Sequence, residues 1–138
     1  MNRKFFALVL SLGLLGFLSL TAQAQEGKVG VVDKYDWGTI APGSLEADIE
    51  IKNIGDGQLN IEKVQPSCGC TLLSPLEKNM LEPGETTTIH LSLNATRRSG
   101  PILKRLTIYS NDPNNPTKSV ELVANIQAEV SPNPDTEK

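Results

Sequence analysis

Cysteine is nearly absent from this chain. Its 138 residues include two, Cys68 and Cys70, one residue apart. Thiols that close cannot tie distant segments together, so a disulfide framework of the small secreted kind is excluded. Histidine occurs once, as His90. A structural zinc centre takes about four ligands, and Cys68, Cys70 and His90 make at most three. The chain has no Gly-rich phosphate loop, no His-Glu-x-x-His pattern and no carboxylate pair of defined spacing. No catalytic residue is therefore assigned. His90 could serve a cysteine as a base, but its strand pattern puts it on a polar face, the usual place of a solvated surface histidine.

Positive charge is also short. The chain carries 13 Lys+Arg against 16 Asp+Glu, a net charge of −3. A nucleic-acid surface needs a clustered basic face, and an anionic membrane surface needs much the same. Arg97-Arg98 and Lys104-Arg105 are too sparse for either, and a solvated turn and an exposed strand face account for them.

One long apolar run is present, and it stands at the N-terminus. Arg3 and Lys4 precede an apolar stretch from Phe5 to Leu20, and Ala22-Gln23-Ala24 follows as a small-x-small cleavage site. This is the pattern of a secretory signal peptide over residues 1–24, with cleavage between Ala24 and Gln25. The run is shorter than the roughly 20 residues that span a bilayer. No other segment is apolar enough to cross a membrane, and no cysteine near the junction suggests a lipid anchor. Cleavage removes Arg3 and Lys4, leaving 11 basic against 16 acidic residues, a net −5 over Gln25–Lys138. The expected location is periplasmic or secreted. The mature chain is long enough for one domain that buries roughly 65% of its unfolded surface. That domain is expected over 25–130. Its tail, 131–138 (Ser-Pro-Asn-Pro-Asp-Thr-Glu-Lys), is polar and expected to be disordered.

What fills the rest is alternation with a period of two. Leu45, Ala47, Ile49 and Ile51 share one face against Glu46, Asp48, Glu50 and Lys52. Thr87, Ile89, Leu91 and Leu93 repeat the pattern, and Val120, Leu122, Ala124, Ile126 and Ala128 form its longest stripe. Ile102, Leu106 and Ile108 continue it, with Lys104 as an interruption. Such stripes are strands with one buried face, and no window of similar length has a helical period. Asn53-Ile54-Gly55-Asp56-Gly57 suits a hairpin, Pro83-Gly84 a type II turn, and Ser99-Gly100-Pro101 and residues 111–116 are further breaks. Short strands at this spacing predict an all-β, immunoglobulin-like antiparallel sandwich of about seven strands. The lone Trp37 precedes both cysteines and reads as a core plug.

Asp36-Trp37-Gly38-Thr39-Ile40, Asn53-Ile54-Gly55, Ser67-Cys68-Gly69-Cys70-Thr71, Leu81-Glu82-Pro83-Gly84-Glu85 and Ser110-Asn111-Asp112-Pro113 occur in that order. This ordered set resembles the bacterial domain-of-unknown-function family numbered 1573, over roughly residues 29–128. That family is similar to the immunoglobulin-like domains of the Hydin and major-sperm-protein group. The resemblance implies an exported bacterial protein with an immunoglobulin-like sandwich, and it brings no established activity.

Three chemistries remain open for Cys68 and Cys70. If the segment is extended, both side chains point to one face. Gly69 between them removes a Cβ and permits unusual backbone angles. A disulfide would sit near the upper limit of Cα separation, about 6.8 Å, and would need a kinked backbone; an oxidising compartment favours it. Two thiolates on one face also suit Cu(I), with Met80 as a further soft donor. The third reading is a pair of reduced thiols that fill a core. Leu72 inward would place both cysteines inward, and Leu73 inward would expose them. The parity of Leu59 and Ile61 breaks before Val64, so the register entering this segment is open. Asn94-Ala95-Thr96 fits the glycosylation sequon but is expected to be unused in a bacterial-type protein. The sequence thus predicts no enzyme and no resident cofactor. It predicts an exported module that is structural or binds a protein partner. The alternative is a periplasmic thiol protein that handles copper or redox chemistry through Cys68 and Cys70.

Overall fold

Alternation along the chain becomes burial in the computed structural model, which describes residues 23–128. Most of the expected leader (1–22) and residues 129–138, which include the expected tail 131–138, lie outside the described residues. In β3 (Ser44–Asn53) Leu45, Ala47, Ile49 and Ile51 are buried while Glu46, Asp48, Glu50 and Lys52 are exposed. β7 (Thr86–Asn94) buries the stripe that starts at Thr87, and β9 (Thr117–Ile126) buries the stripe of Val120, Leu122, Ala124 and Ile126; Ala128, expected to end that stripe, lies past the strand and is exposed. Among the described residues there is no helix.

The strands form two sheets. β1 (Val29–Gly30), β3, β7 and β5 (Thr71–Leu73) make one, in that order. The other runs β2 (Lys34–Ile40), β9, β8 (Gly100–Ser110), β4 (Leu59–Pro66) and β6 (Met80–Leu81). Their inner faces meet in a core that includes Ile49, Ile51, Leu59, Ile61, Ile89, Leu106, Ile108 and Leu122. A second, smaller cluster holds Leu45, Leu93, Ala95, Ile102, Ala124 and Ile126 at one end. The all-β sandwich of immunoglobulin type read from the sequence is the fold observed.

Three details differ from the expectation. Among the described residues nine strands form rather than about seven, because β1, β5 and β6 are only two or three residues long and too short to show a stripe. One pair is parallel: β2 runs alongside β9, Lys34 opposite Glu121 and Ile40 opposite Ile126. The chain reaches that position by leaving the first sheet after Gly30, so β2 enters the second sheet from the same end as β9. Finally, residues 53–58 do not close a hairpin. They carry the chain from β3 in one sheet to β4 in the other.

Asn53 organises that crossing. Its side chain is fully buried; Nδ2 donates to the carbonyls of Gly57 and Leu81, and Oδ1 accepts from the N–H groups of Lys28 and Gly55. A Cβ on Gly55 or Gly57 would run into the backbone of residues 25–28, so both glycines permit a close pass of the N-terminal segment. Glu26 is tied here as well, its N–H donating to Asp56 Oδ1 at 3.0 Å. The Pro83-Gly84 turn is as read: Glu85 N–H donates to Glu82 O at 2.9 Å, and Gly84 has φ of 84°, the geometry of type II. The parity break before Val64 is a bulge between Ile61 and Lys63.

Candidate functional site

The Ser-Cys-Gly-Cys-Thr segment is the second crossing between the sheets. β4 ends at Pro66, opposite Leu106 of β8. Ser67 then grips β8 twice: its N–H donates to Arg105 O at 2.8 Å, and its Oγ accepts from Arg105 N–H at 3.0 Å. Residues 67–70 turn instead of extending, with Thr71 N–H directed at Cys68 O, 3.4 Å away. Cys70 O accepts from Asn94 N–H at 3.0 Å, and the chain is then on β7 as strand β5.

The turn answers the question of facing that strand parity could not. Leu72 is 71% exposed, Leu73 packs against the main core, and both cysteines are half-buried. A turn resets the alternation, so neither extended-strand alternative applies. It also brings the cysteines together: their Cα atoms are 5.3 Å apart and the two Sγ atoms meet at bonding distance. Two extended residues would span about 6.6 Å. Gly69 is not in the left-handed region, since the positive φ values fall on Gly38, Gly84 and Gly100. Nothing lies within 4 Å of a Cβ built on it. Cys70 leans on the smaller core cluster, and Cys68 Sγ lies 3.8 Å from Thr71 Oγ1.

Beside the turn is an open groove lined by Gly69, Cys70, Leu72, Asn94, Thr96, Arg97 and Arg98. It contains two arginines and no acid. The sequence alone places Arg97 and Arg98 in a solvated turn; the fold sets them beside Cys70 because Asn94 N–H, at the end of β7, donates to the Cys70 carbonyl. Asn94 also closes its own turn, with Oδ1 accepting from Thr96 N–H at 3.1 Å and Thr96 Oγ1 at 2.7 Å.

The other candidate donors lie elsewhere. His90 is exposed on the outer face of β7, and its Nδ1 meets Asp48 Oδ1 across the strand pair. Met80 pairs with Asn60, at the far end of β4 from Cys68, roughly 20 Å away at the usual strand rise. Among the described residues, no group of three or more His, Cys, Asp or Glu comes together as a metal site. The copper alternative is left with the two sulfurs alone. Trp37 touches both core clusters, and its indole N–H donates to Glu46 O at 2.8 Å. No helix of the described residues is long and apolar enough to cross a membrane.

A buried carboxylate at the opposite end went unread in the sequence. Asp112 is 1% exposed. Oδ2 accepts from Val29 N–H at 2.9 Å, and Oδ1 accepts from Asn114 and Asn115 N–H at 2.9 and 3.0 Å. Burial opposes its charge, but the three backbone donors outweigh burial and hold the carboxyl below its usual range.

Two packed sheets, with the first two strands divided between them, define an immunoglobulin-like β-sandwich. The chain belongs to the family described as protein of unknown function DUF1573, whose model matches residues 30–126. A protein of unknown function from Porphyromonas gingivalis W83 is similar at 25% identity with a TM-score of 0.66, over 80% of this chain and 51% of that one. This chain therefore spans about half the length of that relative. A PapD-like domain of human CEP192 is similar at 13% identity and TM-score 0.57, over 83% and 96% of the two chains. The periplasmic chaperone SfaE is similar at 11% identity and TM-score 0.50, over 76% and 60%. The last two likenesses are of fold alone. No curated protein matches the sequence.

Proposed function

We propose that this chain is an exported, non-enzymatic module that binds a protein partner along the free edge of β5, with Cys68 and Cys70 joined as a disulfide beside that edge. The observation that carries the reading is Leu72. It is the most exposed large apolar side chain of the described residues, at 71%, and it sits on the last strand of its sheet. Cys70 O and Ser74 N–H bond to β7, and Leu72 stands opposite Ser92. Hydrogen-bonding direction alternates along a strand, so the carbonyl of Thr71 and both main-chain groups of Leu73 face away from the sheet. A partner strand could pair with them and cover Leu72, the mode called β-augmentation.

Export rests on the leader pattern. Among the described residues, Glu26 is the first hydrogen-bonded into the sandwich. An oxidising compartment suits the paired sulfurs. Partner binding is tested by placing a photo-crosslinking amino acid at position 72 or at position 103 in the native host. Leu103 is also exposed, at 60%, but lies on β8 in the other sheet. The expected result is a discrete adduct from 72 and none from 103. Equal labelling, or none from 72, overturns the proposal.

A further inference from the structure

The groove beside Cys70 has a charge of its own. The chain as a whole is acidic, yet the groove is lined by Arg97 and Arg98 and by no carboxylate. Cys70 lines it and Cys68 does not. Gly69 leaves the approach open, with nothing within 4 Å of its missing Cβ. The disulfide closes a ring of only three residues, so it constrains the unfolded chain little. Its contribution as a staple is correspondingly small, and its position at a groove suits chemistry better than stability.

We infer that Cys68–Cys70 is a thiol–disulfide exchange site that oxidises an acidic thiol partner, with Cys70 as the sulfur attacked. The inference rests on the oxidised pair proposed above, and it adds the chemistry of what docks there. A partner thiolate enters the groove, drawn by Arg97 and Arg98, and its sulfur bonds to Cys70 Sγ. The Cys68–Cys70 bond breaks, and its electron pair leaves on Cys68 Sγ. Thr71 Oγ1, 3.8 Å from that sulfur, is placed to donate to the new thiolate. A second thiolate of the same partner then attacks the partner sulfur of the mixed disulfide and expels Cys70 as thiolate. The partner dithiol has lost two electrons and become a disulfide. Cys68 and Cys70 have gained them and take up the two protons that the partner thiols gave up. The exchange is stoichiometric, once per oxidised domain. Exchange rate follows access and charge at the attacked sulfur as well as the thiols themselves.

The test reads the charge of the incoming thiol. Oxidised mature protein is reduced separately by glutathione (anionic), 2-mercaptoethanol (neutral) and cysteamine (cationic), and the rates are followed by alkylation and intact mass. Arg97→Ala/Arg98→Ala should slow 2-mercaptoethanol, which attacks as a monoanionic thiolate, up to about fivefold, the size expected of two unit charges roughly 8 Å from a thiolate in water. It should slow glutathione, whose attacking form is a dianion, more, and leave cysteamine, whose attacking form is a net-neutral zwitterion, within about twofold. Arg97→Lys/Arg98→Lys should restore the wild-type order, which separates charge from misfolding. High salt should erase the differences. Quenched reactions should carry glutathione on Cys70. Equal slowing of all three thiols, no slowing of any, or glutathione on Cys68 overturns the inference while leaving the disulfide and the β5 edge standing. A mature protein with two free thiols overturns both the inference and the disulfide on which it rests.

Discussion

Asp112 accepts a hydrogen bond from the Val29 N–H, 83 residues away in sequence, at 2.9 Å. This bond fixes the first strand to the loop between β8 and β9, at the end of the sandwich opposite the smaller core cluster and Cys70. It works because a carboxylate can accept several donors at once, here from Val29, Asn114 and Asn115.

Asp112→Asn should therefore destabilise the domain at neutral pH by about 1.5–3 kcal/mol, the range for hydrogen bonds to a charged group. The native carboxyl is held below its usual range. Its stabilisation is present in full above the unfolded carboxylate value near 3.9 and is lost as pH falls through the lower native value. Urea melts at a series of pH values should show the wild type and Asp112→Asn converging below about pH 4. A gap that stays constant down to pH 2 would refute the charged role of Asp112.

Two glycines make a paired contrast. Gly84→Ala should cost about 1–2 kcal/mol, because φ of 84° is strained for any residue with a Cβ. Gly69→Ala, between the cysteines, should change stability by no more than about 0.5 kcal/mol, because its backbone is not left-handed and its Cβ would meet nothing. Thermal denaturation of both variants decides. A larger loss at Gly69 than at Gly84 would show that the turn is not built as described.

His90→Ala should also stay within about 0.5 kcal/mol, the usual span for an exposed substitution. Its side-chain hydrogen bond is with Asp48, itself exposed. Loss of several times that amount in a denaturant melt would mean that His90 does more than solvate the outer face.

The sheet cores were legible because one buried face writes itself as alternation. Leu45 to Ile51, Thr87 to Leu93 and Val120 to Ile126 are stripes in the sequence and strands in the fold. The crossings between sheets were not legible. Asn53 looks like any turn asparagine, and only the packing of residues 25–28 against Gly55 and Gly57 makes it a buried hub. The parallel placement of β2 depends on where the chain crosses after Gly30, which leaves no periodic mark. At the site, Cys68 and Cys70 announced themselves by spacing. Their facing could not be read, since parity stops at a turn. Arg97 and Arg98 became relevant only once Asn94 was seen to hold the Cys70 carbonyl. Asp112 carried no signal beyond the turn sequence Ser110-Asn111-Asp112-Pro113.

Replacing both cysteines by serine should leave a folded domain. Extrapolated to a three-residue loop, the chain-entropy relation gives about 1.6 kcal/mol, against the 5–15 kcal/mol typical of a domain. Added reductant should lower the wild-type melting temperature by a similarly small amount and leave the double variant unchanged. A double variant that fails to fold would mean that the sulfurs are core residues first and a disulfide second.

The central claim is that cells export this chain and oxidise it at Cys68 and Cys70. Its most direct test is the non-reducing intact mass of the protein recovered from its native host, with free thiols blocked at lysis. The account predicts a chain that begins at Gln25, carries no blocking group, and is two hydrogens lighter than its dithiol form. A chain that still begins at Met1, or one that carries a blocking group on each cysteine, would contradict it.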